Sequence, residues 1–350
     1  MKAKIEPGYS SKRQKLADIV PLDAPFTLFI ANTQTCNFKC FYCTHSLSNE
    51  EKEKIQFYQR KMKDDVFELI LNQAKAFQGK IKRVVFTGLG EPLANPKIVE
   101  MIKRLSEQGI AGGYEIITNG YLLTHEMTDQ LLDSGLTFLR VSIQGLTAKR
   151  YKETTSVDID YSRLVDNIRY FYEKKKTYDC KLYVKIMDEC FDEGEGEEDF
   201  YKVYGDICDK IYIEHLVDAQ PSMTGNYGEK LNEQMTFYGD KAEERAVCPY
   251  MFYCLQIDAE GNTFPCPPLG LPKHFSLGNI KDITLNEIWT SDRLYDLYKM
   301  HLLDRKKEVP VCNSCENYKC FTPSEDNLDN NREEILRRLE EKVNGRAKTV

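Results

Sequence analysis

Six short β-branched or aromatic runs alternate with five amphipathic helical patterns through the first two thirds of the chain. The runs fall at 26–33, 82–87, 113–118, 138–143, 181–187 and 209–216. The helical periods fill the gaps at 62–77, 95–108, 124–134, 160–175 and 196–207. Strand–helix–strand units of this size join parallel strands by right-handed crossovers, so the pattern predicts an α/β domain with a parallel sheet. That sheet is either open and doubly wound or part of an α/β barrel. In both cases chemistry gathers at the C-terminal ends of the strands.

The alternation stops near 221, where Gly, Pro, Cys and short hairpin-like runs take over. The expected organisation is therefore an N-terminal extension (1–24), the α/β domain (25–220), a small Cys-rich domain (221–323) and a charged helical tail (324–350). The tail has few apolar positions and reads as a peripheral helix with a frayed end. The acidic stretch 192–199 reads as a solvated loop opening the next helix.

Composition narrows the class. No apolar run approaches the roughly 18 residues of a membrane span, mean hydropathy is −0.51, and Met1 to Val20 mixes charges where a signal peptide needs an apolar core. A cytoplasmic protein with no membrane partner is expected. The formal charge of −7 gives no electrostatic reason to expect nucleic acid. The 12 cysteines stand out. Without an export signal they are not expected to form a disulfide framework, and metal or cluster ligation is the first alternative.

Cys36, Cys40 and Cys43 lie in TCNFKCFYC, directly after the first strand run. Such spacing arises by chance in only about one per cent of chains of this composition. Structural zinc wants four closed ligands, and His45 is the only nearby fourth candidate. Three thiolates on one loop suit a 4Fe-4S cluster with one iron left open.

Cys-x3-Cys-x2-Cys in this place resembles the signature of the radical S-adenosylmethionine (radical SAM) superfamily, whose fold is a partial (β/α)6 barrel. The resemblance implies that the Tyr42 backbone meets the adenine of SAM. It extends to TGLGEPL after the second strand, where Gly88, Gly90 and Glu91 resemble the Gly-Gly-Glu motif near the SAM amino group. Gly90 would let the backbone approach closely, and Glu91 could face a cation. Thr118 and Asn119 close the third strand near the expected ribose position. Ser142 and Gln144 in SIQG resemble a fourth-strand Ser-x-Asp-Gly motif, with Gln in place of Asp. Arg150 and Lys152 lie near, but not at, the usual position of an Arg for the SAM carboxylate.

Strand parity adds a separate expectation. Leu139, Val141 and Ile143 share the face the helices need, which turns Arg140, Ser142 and Gln144 into the barrel, with Tyr183, Lys185, Tyr212 and Glu214 beside them. Inward charges need partners or a function. The alternatives are a structural ion pair, Arg140 or Lys185 with Glu214, and a substrate-binding or proton-transfer role for Arg140, Lys185 and Glu214. His215 has the opposite parity and reads as a packed side chain.

The C-terminal third holds Cys248, Cys254, Cys266, Cys312, Cys315 and Cys320. Cys248, Gly261 and Cys266 resemble the Cys-x(9–15)-Gly-x4-Cys element of SPASM and twitch domains. Cys312-x2-Cys315-x4-Cys320 is close to the SPASM continuation but lacks its two later cysteines. Six thiols cannot fill two four-thiolate clusters, so one auxiliary 4Fe-4S cluster with two spare thiols is expected. Resemblance to the twitch domain of 2-deoxy-scyllo-inosamine dehydrogenase implies Cys248, Cys266, Cys312 and Cys315 as ligands. Cys254 matches a ligand position in anaerobic sulfatase-maturating enzymes. A zinc ribbon is the competing assignment. Cys180, Cys190 and Cys208 read as core thiols.

The resemblance implies a reduced cluster that cleaves SAM to a 5′-deoxyadenosyl radical, a reductant such as flavodoxin or ferredoxin, and hydrogen abstraction from a substrate C–H bond. Three fates of the substrate radical are open. Loss of a proton and an electron dehydrogenates an alcohol, polyol or sugar-type small molecule, with the auxiliary cluster as acceptor. Hydrogen donation from Cys254 or Cys320 makes an epimerase, and side-chain attack makes a peptide maturase. The first is favoured, because four thiolates make an electron acceptor and the first strand run at 26 leaves no room ahead of it for a peptide-recognition domain. A zinc-stabilised binding module is the non-enzymatic alternative.

Overall fold

The computed structural model describes residues 1–9, 12–217, 234–267 and 270–347. Its strands are β1 (Lys4–Ile5), β2 (Thr27–Ile30), β3 (Arg83–Phe86), β4 (Tyr114–Thr118), β5 (Phe138–Ile143), β6 (Lys181–Met187), β7 (Lys210–Glu214), β8 (Cys254–Ile257), β9 (Asn262–Phe264) and β10 (Gly278–Asn279). They form one sheet in the order β1-β7-β6-β5-β4-β3-β2-β8-β9-β10. All pairings from β1 to β8 are parallel, and β9 and β10 are antiparallel additions. Strands β2 to β7, with their crossover helices, make the partial (β/α)6 barrel.

The six expected strand runs each contain one of these strands. Helices α3 (Asp64–Ala74), α4 (Ile98–Glu107), α5 (His125–Asp133), α7 (Tyr161–Lys174) and α8 (Glu197–Tyr204) occupy the five expected helical periods. Periodicity located them because one face of each is buried against the sheet. Leu139, Val141 and Ile143 of β5 are buried together with Ile70 and Leu71 of α3, Ile102 and Leu105 of α4, and Ile168 and Phe171 of α7. Each such side chain contributes about 1.5–3 kcal/mol on burial. Side-chain caps fix helix starts: Thr124 accepts from Met127 N and Asp160 from Arg163 N.

Short helices α2 (Asn49–Lys54) and α6 (Ala148–Thr155) were not anticipated, and neither were α9 (Leu285–Trp289) and α10 (Asp292–Leu302) in the region read as hairpins. Their start signals were nonetheless present. Thr284 and Glu287 form a capping box, and Ser291 caps α10.

Two features tie the ends of the chain to the barrel. β8 extends the sheet beyond β2, with Thr27 opposite Cys254 and Ile30 opposite Ile257, so the sheet runs unbroken from the α/β region into the Cys-rich region. The tail helix α12 (Arg332–Ala347) is less peripheral than its composition suggested. Ile335 and Leu339 join the main core, and Lys342 Nζ donates to Leu22 O at 2.9 Å. No helix among the described residues is long and apolar enough to cross a membrane.

Candidate cluster and cofactor site

The loop after β2 carries Cys36, Cys40 and Cys43 at the C-terminal end of the sheet. Turn bonds fold it back on itself, with Cys43 N donating to Cys40 O at 2.9 Å, and α6 clamps it through Lys39 N to Thr155 O and Phe41 N to Thr154 O. The three thiols lie near enough for their charges to act on one another. Burial pushes Cys36 up to about 12, and it also raises Cys40, with the charges of Cys43 and Cys36 adding to that. Desolvated thiols gathered on one loop suit a site that binds them as thiolates to iron.

The neighbouring strand ends build the wall, although several side chains act differently from expectation. A Cβ on Gly90 would lie 2.3 Å from Thr33 O, so this glycine is required for packing against the cluster loop itself. Gly88, at φ +147°, packs on Ala31 in the same way. Glu91 does not face an open cation site. It is buried, and it accepts from Thr118 Oγ1 (2.6 Å), Asn119 N (2.8 Å) and Leu93 N (3.0 Å). Burial raises its pKa, and those donors oppose the rise.

Asn119 reaches across to the cluster loop, donating through Nδ2 to Asn37 Oδ1 at 2.8 Å, while the Asn37 amide nitrogen is buried without a partner. Gln144 is a hub. Its Oε1 accepts from the Tyr42 hydroxyl at 2.6 Å and from the Cys190 thiol at 3.7 Å, and its Nε2 donates to Ser142 O at 3.2 Å. The substitution of Gln for Asp is thereby explained, because Gln144 holds the cluster-loop tyrosine. Ser142 itself stands in register with Lys185. Arg150 is committed elsewhere, to Glu189 O at 2.9 Å and Cys190 O at 3.3 Å. Lys152 pairs with Asp158. His45 is buried with Nε2 3.0 Å from Leu89 O and braces the glycine loop.

Inside the barrel, Lys185 pairs with Glu214, as one structural alternative required. Arg140 does not pair with Glu214. Its guanidinium lies 2.6 Å from Glu115, which is 1% exposed and also takes Arg83 at 2.9 Å. Glu115 was missed, although its parity on β4 matches that of Arg140 on β5 and could have revealed it. His215 is not merely packed. Its Nδ1 lies 2.7 Å from Asp188 Oδ2, joining the ends of β6 and β7 with both side chains partly open. The next residue, Leu216, packs on Phe41 and Tyr42 of the cluster loop.

The second set of cysteines lies toward the opposite end of β2. Cys254 opens β8 beside Thr27, and β9 returns to that end before Cys266. The hairpin between them turns at Gly261, with φ +92°, which explains the glycine in the motif. Cys248, Cys266, Cys312 and Cys315 lie in mutual charge contact. Burial raises Cys248 and Cys266, their neighbours raise them further, and Cys312 rises to about 12 through burial and then Cys315. Asp329 holds the approach to Cys248 by accepting from Ala246 N (3.0 Å) and Val247 N (2.9 Å). Among the described residues, no Cys, His, Asp and Glu side chains converge at single-ion spacing. An iron–sulfur cluster places its own irons and sulfides between the thiolates.

Cys254 is fully buried and its thiol donates to Tyr250 O at 2.9 Å. It sits at the end of β8 away from the Cys36 loop. Cys320 is buried, and its carbonyl accepts from Phe237 N, whose own carbonyl accepts from His215 N.

Comparisons with known proteins agree with this layout. Residues 32–189 match the Radical SAM superfamily and residues 248–316 match an iron-sulfur cluster-binding domain, SPASM. The chain is 31% identical over 119 residues to the tungsten-containing aldehyde ferredoxin oxidoreductase cofactor-modifying protein of Pyrococcus furiosus, covering 34% of this chain and 31% of that one. It is 32% identical over 162 residues to a probable GTP 3′,8-cyclase of Pyrococcus abyssi, covering 46% and 47%. The chain thus spans less than half the length of these relatives. Among solved structures, native anSMEcpe with bound AdoMet shares the fold at TM-score 0.57 and 17% identity, covering 93% of this chain and 100% of that one.

Proposed function

Because the chain belongs to the radical SAM superfamily, with an iron–sulfur SPASM domain after its partial barrel, we propose that it dehydrogenates an alcohol carbon of a small polyol or sugar-type substrate. Its cofactors are SAM, a SAM-binding 4Fe-4S cluster and an auxiliary iron–sulfur cluster. In this reading Cys36, Cys40 and Cys43 hold the first cluster, and Cys248, Cys266, Cys312 and Cys315 hold the second. Bound there, the first cluster with SAM would supply radical hydrogen abstraction, and the second would supply a one-electron acceptor.

The chain's own residues do the rest. Gln144 fixes Tyr42 and with it the cluster loop, while Asn119 and Glu91 tie that loop to the ends of β3 and β4. Thr118, Ser142 and the backbone at Gly88 and Gly90 complete the proposed SAM cradle. The Lys185–Glu214 pair, with Arg140 beneath it, offers the polar surface to the substrate. The substrate radical must lose its hydroxyl proton as well as an electron to become a carbonyl. His215, oriented by Asp188 at 2.7 Å, is the proton acceptor in this reading.

The observation that carries dehydrogenation over epimerisation is the contrast among the C-terminal thiols. Cys248, Cys266, Cys312 and Cys315 are the proposed ligand set, and Cys254, although its charge also reaches Cys266, is bonded to Tyr250 O at 2.9 Å at the end of β8 away from the Cys36 loop. The test is anaerobic incubation of the reconstituted enzyme with SAM, dithionite and a panel of polyols, aminocyclitols and sugars in deuterated water. A product two mass units lighter, formed with 5′-deoxyadenosine, supports the reading. A product of unchanged constitution carrying one solvent deuterium identifies an epimerase, and acceleration of SAM cleavage by peptides alone identifies a maturase.

A further inference from the structure

Lys306 lies in a 3-10 turn after α10 and is half-buried. Its ammonium donates to Arg245 O at 2.8 Å and stands 3.8 Å from the centre of the Tyr318 ring. These contacts come from the segments that carry Cys248 and Cys315, three residues away in each case. The ammonium is thus clamped between two segments of the auxiliary site, and no carboxylate among the described residues forms an ion pair with it.

The nearby Glu244 carboxylate acts on Lys306 but is already engaged by the Tyr318 hydroxyl at 2.6 Å and by Lys319. The Arg245 side chain is 0% exposed. Its Nη2 donates to Thr322 O at 2.9 Å and Pro323 O at 3.1 Å and lies 3.3 Å from Glu243, but its Nε and Nη1 have no partner among the described residues. His301 is buried too. Its Nδ1 accepts from Cys248 N at 3.2 Å, and its Nε2 has no partner among the described residues. Cations and N–H groups left unpaired in a protein interior are costly. Here His301 bonds the backbone of Cys248, Arg245 lies three residues before it, and the Lys306 charge reaches both Cys248 and Cys312, opposing the effect of their burial. Around the first loop the charges are mixed: the carboxyl of Glu91 and Cys43 act on Cys36, while the Lys52 ammonium, which donates to His45 O at 2.9 Å, interacts with Cys43.

We propose that Lys306 is the counter-charge of the auxiliary cluster and a positioning residue for electron transfer, raising that cluster's reduction potential so that it can take an electron from the substrate radical. The inference rests on the auxiliary-cluster reading above. A unit cation stabilises the reduced, more negative cluster. At an effective dielectric near 20 and roughly 10 Å from the added electron, its removal weakens reduction about tenfold. For a one-electron couple that is a shift of about 59 mV to more negative potential.

The experiment is a potentiometric EPR titration of the auxiliary cluster in full-length protein carrying Cys36→Ala, Cys40→Ala and Cys43→Ala, so that only one cluster reports. Lys306→Met is expected to lower the midpoint by about that amount with iron content unchanged, and Lys306→Arg to restore it. Lys306→Gln is a second neutral variant, so that poor folding of one does not decide the outcome. Iron retained at an unmoved midpoint in the neutral variants overturns the role of Lys306. Absence of iron from the triple variant overturns the auxiliary-cluster assignment and the inference with it.

Discussion

In the proposed assignment the two cysteine sets hold iron with thiolates in opposite ways. The first spans eight residues, Cys36 to Cys43, on one loop at the C-terminal end of β2. The second gathers Cys248, Cys266, Cys312 and Cys315 from a hairpin, a short helix and the turns between them, toward the other end of the same strands. A local set leaves one iron open, because its loop has only three thiols to give. A dispersed set can close around a cluster, and each contributing segment brings its own neighbours, here Lys306, Arg245 and His301. The two sites are separated by at least roughly 10 Å of strand. The division of labour proposed above, radical generation at one end and electron acceptance at the other, follows from that difference.

Ways to break the comparison begin with its largest effect. Changing Cys36, Cys40 and Cys43 together to Ala is expected to abolish reductive SAM cleavage while leaving about four irons per chain. Cleavage that survives in an anaerobic 5′-deoxyadenosine assay would remove the first loop from the chemistry. Gly90→Ala comes next. Its new Cβ would stand 2.3 Å from the Thr33 carbonyl, backbone against backbone, and should cost about 2–4 kcal/mol, read as a lowered Tm. An unchanged Tm would mean that the cluster loop is not seated on β3 as described.

On the other side of the comparison, Asp329→Ala frees two backbone N–H groups ahead of Cys248. A loss of about 1–3 kcal/mol is expected by chemical denaturation, together with weakened iron retention confined to the auxiliary site. Gln144→Leu removes the acceptor of the Tyr42 hydroxyl and should weaken SAM binding by about tenfold, with iron content intact, in equilibrium dialysis. Equal affinity would make the Tyr42–Gln144 contact incidental. The smallest effect belongs to Cys254→Ala, which should keep all of its iron. Loss of about four irons would make Cys254 a ligand and displace one of the four assigned.

What could be read from the sequence tracks the same local-versus-dispersed distinction. The six barrel strands and their helices were legible because burial of one face imposes a period of 2 or 3.6 on the chain. The first cysteine loop was legible because its ligands are neighbours in sequence. Inward parity located Arg140, Lys185 and Glu214, but the partner of Arg140 is Glu115, a pairing set by strand register that no single strand encodes. Gly90 and Glu91 were found, but not the contacts they make within the chain. One packs against Thr33 O, and the other gathers Thr118 and Asn119, contacts that exist only when three strand ends meet. His215 was set aside by strand parity, which no longer holds once β7 ends and the chain turns toward Asp188. The auxiliary site was legible only as a list of thiols, because its cationic surroundings come from residues 245, 301 and 306, which no spacing rule connects.

On the reading proposed above, the chain carries two iron–sulfur sites with different tasks. Anaerobic reconstitution followed by iron, sulfide and zinc quantitation on the wild type and on the two sets of Cys→Ala variants separates them. About eight irons per chain are expected in the wild type and about four in each variant set, with SAM cleavage lost only when the first set is removed. About four irons in the wild type, or one zinc in place of the second cluster, would contradict it.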